Sequence, residues 1–504
     1  MSLVSNLFLL FVLALVIIYY IVPSRFQWVV LLVFSYLYYI SGNAKYLVYI
    51  VSSTVVIYLA GFLIGRMKEK GAPQQRQKLV LIIGLVINLG LLCAVKYLGP
   101  IVDFLNQTFK LQIPGMAILM PLGISFYTFQ SCGYLIDVYW GKVKAEKNPA
   151  YFALFVSFFP QLLQGPIGKF ERLGGQFREP HKFDWLRIRN GVERILWGYC
   201  KKMILADWAG VFADAIWGDL DRFNGVAFFA LIFYGIQLYA DFSGAMDVVI
   251  GVASLFGITL DENFRRPYLA TSVADFWKRW HITLGDWMMS YVFYPISLSK
   301  WMMKFSKWCR GVFGKKYGRV VPIALADLLV FLLVGIWHGA SWKYVVYGLL
   351  NGGIIAFSEL MVYNYRDWKK KLHISGKEGW YHAFAVIRTF IIINLRWFFD
   401  RSDTLRQAFY MIKQAFTHFA PSQLLQINAG RGGTAFVPQA LAIIFIGSIL
   451  MVIAGIRQEN GHDLQEEVNS LPVPVTFLCC MGMLVLIGVF GCTGTPRGFI
   501  YAQF

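Results

Sequence analysis

Long apolar runs separated by short polar connections set the pattern of this chain. Leu7–Val22, Trp28–Ile40, Tyr46–Gly65 and Leu79–Leu98 come first. Trp197–Trp217, Phe228–Ala253, Val321–Trp337, Trp342–Tyr363, Phe384–Phe399, Phe436–Ile456 and Val473–Val489 follow. Runs near 20 residues with few charges read as membrane-spanning helices, and the total comes to about eleven crossings. Trp28–Ile40 is short, which fits either a shallow span or an interfacial segment. No fixed-period repeat and no soluble domain interrupts the pattern. The expectation is one all-α transmembrane domain over 1–504, with N-terminal helices in 1–113, a catalytic core in 114–400 and C-terminal helices in 401–504.

Two stretches break the pattern. Pro114–Tyr139 is apolar but carries Pro114, Gly115, Pro121, Gly123 and Gly133, with Ser125, Thr128, Gln130 and Asp137 among them. Phe152–Ile167 repeats the theme with Pro160, Gln161, Gln164, Gly165 and Pro166. Irregular backbone at membrane depth survives only inside protein or beside a wet cavity. Both read as re-entrant or kinked helices, with ordinary proline-kinked spans as the alternative. Gly168–Arg194 reads as an amphipathic cytoplasmic segment. Lys201, Lys202 and Asp207 place the start of Trp197–Trp217 near an interface. Asp241 and Asp247 lie six apart, on different faces of a helix, so they do not form a paired-carboxylate site. Each is expected to orient a neighbour or cap a broken helix.

Composition agrees with a polytopic membrane protein. The 504 residues are 57% hydrophobic and only 15% charged, far from the soluble average. The net charge of +19 sits in short connections, which points to cytoplasmic loops and anionic lipid, not nucleic acid. Arg66, Lys68, Lys70, Arg76 and Lys78 face a single acid, Glu69, which puts that loop in the cytoplasm and the N-terminus outside. Lys300–Arg319 holds seven basic residues and no acids, a second cytoplasmic loop; Arg366–Lys377 is a third. The first run lacks a basic n-region and a cleavage site, so it is expected to be a retained span. The seven cysteines form no CxxC or Cys/His pattern, so no metal site is expected.

Three places carry candidate chemistry. Between two apolar runs lies Gly335-Ile336-Trp337-His338-Gly339-Ala340-Ser341-Trp342. An ionisable group at that depth is a functional candidate, with a core histidine bonded across helices as the alternative. Asp275-Phe276-Trp277-Lys278-Arg279-Trp280-His281 sets cations and indoles beside a second histidine. It suits interfacial anchoring, or a phosphate-bearing ligand held by charge-assisted hydrogen bonds. The chain closes on Phe499-Ile500-Tyr501-Ala502-Gln503-Phe504, aromatic where termini are usually polar.

Several stretches together resemble the membrane-bound O-acyltransferase (MBOAT) family, in its bacterial branch of alginate and peptidoglycan O-acetylation and teichoic-acid D-alanylation. They are Pro121-Leu122-Gly123-Ile124-Ser125-Phe126-Tyr127-Thr128-Phe129-Gln130, Phe158-Phe159-Pro160-Gln161 with Gly165-Pro166-Ile167, and Tyr239-Ala240-Asp241-Phe242-Ser243-Gly244. Asn263-Phe264-Arg265-Arg266-Pro267-Tyr268, Phe276-Trp277-Lys278-Arg279-Trp280-His281 and Trp337-His338-Gly339 complete the set. The resemblance implies helices in a ring around a funnel and tunnel. It matches His338 to the family's catalytic histidine and His281 to the branch's second polar position. It also implies a multi-pass protein of the bacterial cytoplasmic membrane, a cytoplasmic acyl donor and an acceptor outside. The terminal motif resembles one in which the tyrosine, here Tyr501, is a covalent acyl carrier.

Chemistry extends this reading. A buried neutral imidazole suits proton removal from a hydroxyl near pH 7, so His338 is the expected general base. His281 would polarise the thioester carbonyl or position the donor. Lys278 and Arg279 would hold phosphates of acetyl-CoA. The long C-terminal region favours acetyl over D-alanyl. The expected partners are the bilayer, the thioester donor and an extracytoplasmic O-acetyltransferase that passes the group to a cell-surface polysaccharide. A flippase for a lipid-linked sugar is the competing class, since broken helices and intramembrane polar groups fit it equally.

Overall fold

The computed structural model describes residues 1–114, 120–162, 164–376, 378–492 and 498–500, with backbone only at 431–432. Among these the chain is helical, and its only β feature is a single antiparallel bridge between Phe264 and Trp280. Seven helices are long and apolar enough to cross a membrane, or eight if the bent pair Trp342–Leu360 and Val362–Lys371 counts as one span. The expectation of about eleven also included shorter runs, which form helices such as Asn6–Ile21 and Gln27–Ile40. The chain is therefore a multi-pass, all-α membrane protein. Many leucines, isoleucines and phenylalanines of these helices face outward, as expected where lipid is the solvent.

The Cα positions group into two compact units. One takes the described residues of 1–198, 245–262 and 498–504; the other takes those of 199–244 and 263–497.

In the first unit, Ile124–Trp140 is buried along most of its length. It is an uninterrupted helix, because its prolines lie ahead of it and Gly123 starts it in the left-handed region (φ 70°). Gly115, part of the expected break, lies outside the described residues. Asn88 joins three helices: it accepts from Ser53 Oγ (2.6 Å) and donates to Ser131 Oγ (3.2 Å). The second expected break is present. Pro149–Ser157 ends at Phe158 (φ −51°, ψ 108°), and Phe159–Leu162 begins a new turn with Pro160 near its start, where a missing N–H is tolerated. The freed Phe159 N–H donates to Ser35 Oγ at 3.1 Å. The freed Phe155 carbonyl accepts from Gln130 Nε2 at 2.5 Å. Those polar side chains repair the break they mark, as a buried backbone requires.

In the second unit, Lys300–Arg319 is not an open loop. It is helical, and the chain reverses at Gly314 (φ 72°, ψ 175°) before running on to His338. A run of like charges does not by itself mean an absence of regular structure. Lys202 also differs from expectation. It is fully buried in a π-helical turn, Cys200–Ala206, and bridges Asp207 (2.8 Å) and Asp241 (2.6 Å). It belongs to an internal ion-pair cluster rather than an interface. Asp241 thus orients a neighbour, as expected. In the first unit Asp247 does the same, holding Arg194 at 3.1 Å.

Candidate active site

His338 ends the helix Lys300–His338. Gly339 caps it, and Trp342–Leu360 follows after two further residues. The two helices lie close because glycines face the contact. A Cβ on Gly335 would run into the Tyr344 carbonyl, and one on Gly339 would sit 2.6 Å from the Tyr344 ring. Small residues of this kind let membrane helices approach. Tyr344 therefore stacks on the His338 ring (centroids 5.9 Å apart, 21°), and Tyr347 meets it edge-on at 5.7 Å. Trp337 closes another side at 4.9 Å. The imidazole is buried in an aromatic box.

His281 stands in the same unit, between the helices Val273–Arg279 and Ile282–Met288. Its backbone is left-handed (φ 48°, ψ 52°), a sparsely populated region for a side chain with a Cβ and a recurrent feature of functional sites. Hydrogen bonds on both sides hold it there. Arg265 N donates to Arg279 O (2.9 Å), and Ile282 N donates to Asn263 O (3.0 Å). The Asn263 side chain completes the clamp. Its Oδ1 accepts from Thr283 N at 3.0 Å and lies 3.2 Å from His281 Nδ1. An oxygen already accepting a backbone N–H can only accept again, so Nδ1 carries the proton and Nε2 the lone pair. Burial, and after it the neighbouring His338, push the His281 pKa down to about 3. Each cause disfavours the cation.

A continuous set of rings joins the histidines, starting at Phe242, which lies 4.9 Å from the His281 ring and 6.5 Å from Trp280. Phe276 stacks on Trp280 at 5.4 Å; Trp280 lies 5.6 Å from Trp397; Trp397 stacks on Tyr347 at 6.4 Å. Asp400, one turn beyond, accepts from Tyr234 Oη at 2.7 Å, while Lys343 donates to the Asp400 and Ser402 carbonyls.

The other site residues fall out differently. Lys278 is exposed. Arg279 is held by Asp275 (2.9 Å) and Glu459 (3.0 Å), and Glu459 also takes Arg266 (2.6 Å). Two carboxylates therefore already answer Arg279, and Lys278 is the cation free to face solvent. Tyr501 lies outside the described residues; Phe499, two positions earlier, is buried. Among the described residues no group of three or more His, Cys, Asp or Glu is arranged to hold a metal. Two contributors were not read from the sequence as site residues in their own right: Asn263, whose partner is 18 positions away, and Tyr347.

Two buried imidazoles in a multi-pass membrane protein suit proton transfer at a reacting hydroxyl. Comparison with known proteins gives the family. The profile of the MBOAT, membrane-bound O-acyltransferase family, matches residues 145–393, which include both histidines. The probable alginate O-acetylase of Pseudomonas aeruginosa is 31% identical over 467 residues, covering 92% of this chain and 82% of that protein. The peptidoglycan O-acetyltransferase of Helicobacter pylori is 32% identical, over 77% of this chain and 72% of that protein. The teichoic acid D-alanyltransferase of Bacillus subtilis is 27% identical, over 53% of this chain and 65% of that protein. The chain belongs to the membrane-bound O-acyltransferase family and is an O-acyltransferase.

Proposed function

We propose that this enzyme takes an acyl group, acetyl by preference, from a cytoplasmic thioester and delivers it for O-acylation of a cell-surface polysaccharide. The single observation that carries the reading is that His338 lies buried in an aromatic box, in the same compact unit as a second buried imidazole, His281. His338 removes the proton from an attacking hydroxyl, help worth about 10²–10⁴ in rate. His281, with its proton on Nδ1, presents Nε2 to the donor or to the incoming hydroxyl and positions it. The acetyl preference rests on the length of chain shared with the O-acetylating relatives; the D-alanylating relative matches barely half of it.

Acetyl-CoA is the proposed donor, and exposed Lys278 is the residue to meet its phosphates. The protein is placed in the bacterial cytoplasmic membrane with its N-terminus outside, because the basic stretches at 66–78 and 300–319 then face the cytoplasm. An extracytoplasmic O-acetyltransferase would receive the group. Tyr501 is the proposed carrier: a phenol has a pKa near 10, below that of an alkyl alcohol, so its ester is activated enough to pass the acyl group on. The test is reconstitution in liposomes with labelled acetyl-CoA, followed by chromatography of free coenzyme A and mass mapping of the protein. Free coenzyme A and an acetyl adduct on Tyr501 are expected. Full turnover in Tyr501→Phe without any adduct ends the carrier step, and no coenzyme A release ends the donor assignment.

A further inference from the structure

One buried cation lies outside everything assigned so far. Arg396 sits within the span Gly379–Arg401 and is only 3% exposed. Its Nε, Nη1 and Nη2 find no hydrogen-bond acceptor among the described residues, and neither does the buried Nε1 of Trp277. Asp400 lies four positions on, where an arginine on a helix would ordinarily pair with it. Asp400 instead accepts from Tyr234, and the guanidinium turns into the aromatic cluster. Its Cζ lies 5.4 Å from the Trp277 ring and 5.6 Å from those of Phe276 and Trp397. Those rings attract the cation through their faces. They leave the five N–H donors of the guanidinium without acceptors.

Such an arrangement offers donors only. It therefore suits an acceptor-rich, negatively charged partner, and a charged side chain at membrane depth marks function by default. Its position says which partner. Trp397 stacks on Tyr347, and Tyr347 meets His338; Phe276 stacks on Trp280, the residue before His281. The charge lies in the ring cluster that reaches His338 through Trp397 and Tyr347. Acyl transfer develops negative charge on the carbonyl oxygen of the acyl group, and later on the leaving sulfur, which the His338 imidazolium can protonate.

We infer that Arg396, seconded by Trp277 Nε1–H, is the oxyanion donor of this acyl-transfer site. The inference rests on the placement of the chemistry at His338. In the step, the hydroxyl proton passes to the His338 imidazole and the hydroxyl oxygen bonds to the thioester carbonyl carbon. The carbonyl π pair moves onto its oxygen, which Arg396 and Trp277 bind. Collapse re-forms the carbonyl and breaks the C–S bond, and the thiolate takes the proton from the imidazolium.

Coenzyme A release from acetyl-CoA in proteoliposomes, measured for the full chain, tests this. Loss of one such donor lowers kcat by about 10²–10³, so Arg396→Gln should show that fall with KM changed by less than about twofold. Arg396→Lys should recover about tenfold of it, because the charge returns without the fork. Trp277→Phe, which keeps a ring, should lower kcat by about three- to tenfold, a smaller loss because a neutral donor is weaker. A rise in KM with kcat unchanged would make Arg396 a ground-state binder and overturn the assignment. So would wild-type kcat in Arg396→Gln while His338→Ala is dead, and that result leaves the His338 reading standing. Wild-type activity in His338→Ala overturns both. Should Arg396→Gln fail to fold, unchanged kcat in both Arg396→Lys and Trp277→Phe overturns the inference, and a loss of kcat in both supports it.

Discussion

Asn263 fixes the tautomer of His281: one side-chain oxygen accepts both the Thr283 backbone N–H and the Nδ1 proton of the imidazole. Asn263→Ala should free the ring to rotate and exchange tautomers. The expected result is a fall in kcat of about 10–100-fold, the scale seen when an orienting partner of a functional histidine is lost. Steady-state turnover of Asn263→Ala beside wild type checks it. A change confined to KM would show that the clamp serves donor binding alone.

The low pKa of His281 also links pH to stability. In the unfolded chain a histidine titrates near pH 6.5, whereas the folded protein keeps this ring neutral down to about pH 3. Above pH 6.5 both states are neutral and nothing changes. Below it the unfolded state binds a proton that the folded state refuses, so stability falls as pH falls from 6.5 toward 3. By pH 5 the loss from this group is about 2 kcal/mol. Thermal inactivation half-lives at pH 5 and pH 7 should separate less in His281→Asn than in wild type.

Gly339 lies under the Tyr344 ring, where a Cβ would come within 2.6 Å. Gly339→Ala should cost about 1–3 kcal/mol through overpacking, and it should shift the ring that stacks on His338. Gly353→Ala is the control, since nothing lies within 4 Å of its added carbon. Unfolding midpoints of the two variants in the same detergent should differ, with Gly339→Ala the lower.

Lys202 answers two buried carboxylates. Lys202→Met removes the ammonium that both buried carboxylates contact and should destabilise by about 3–5 kcal/mol. Adding Asp207→Asn and Asp241→Asn removes the two carboxylate charges and should restore most of the loss. Failure of the triple variant to recover, read by unfolding midpoint, would mean the cluster does more than balance charge.

The spans and the His338 turn were legible in the sequence because both are local: apolar length defines a crossing, and a histidine between two such runs stands out. The helical reversal of the basic stretch 300–319 at Gly314 was not legible, since charge composition is blind to one backbone angle. Lys202 was read as interfacial because its partner Asp241 is 39 positions away. Arg396 carried a usable signal, a cation inside the apolar run Phe384–Phe399, which the length of the run alone does not register. The Asn263 clamp had none: a bridge between Phe264 and Trp280 assembles it, and no spacing rule announces such a bridge.

The catalytic place of His338 is tested most directly by coenzyme A release from acetyl-CoA in proteoliposomes carrying His338→Ala, matched for protein amount and fold against wild type. Turnover at the background rate with a preserved unfolding midpoint is the expected result. Turnover within a few-fold of wild type would contradict the assignment of the proton-accepting role to this imidazole.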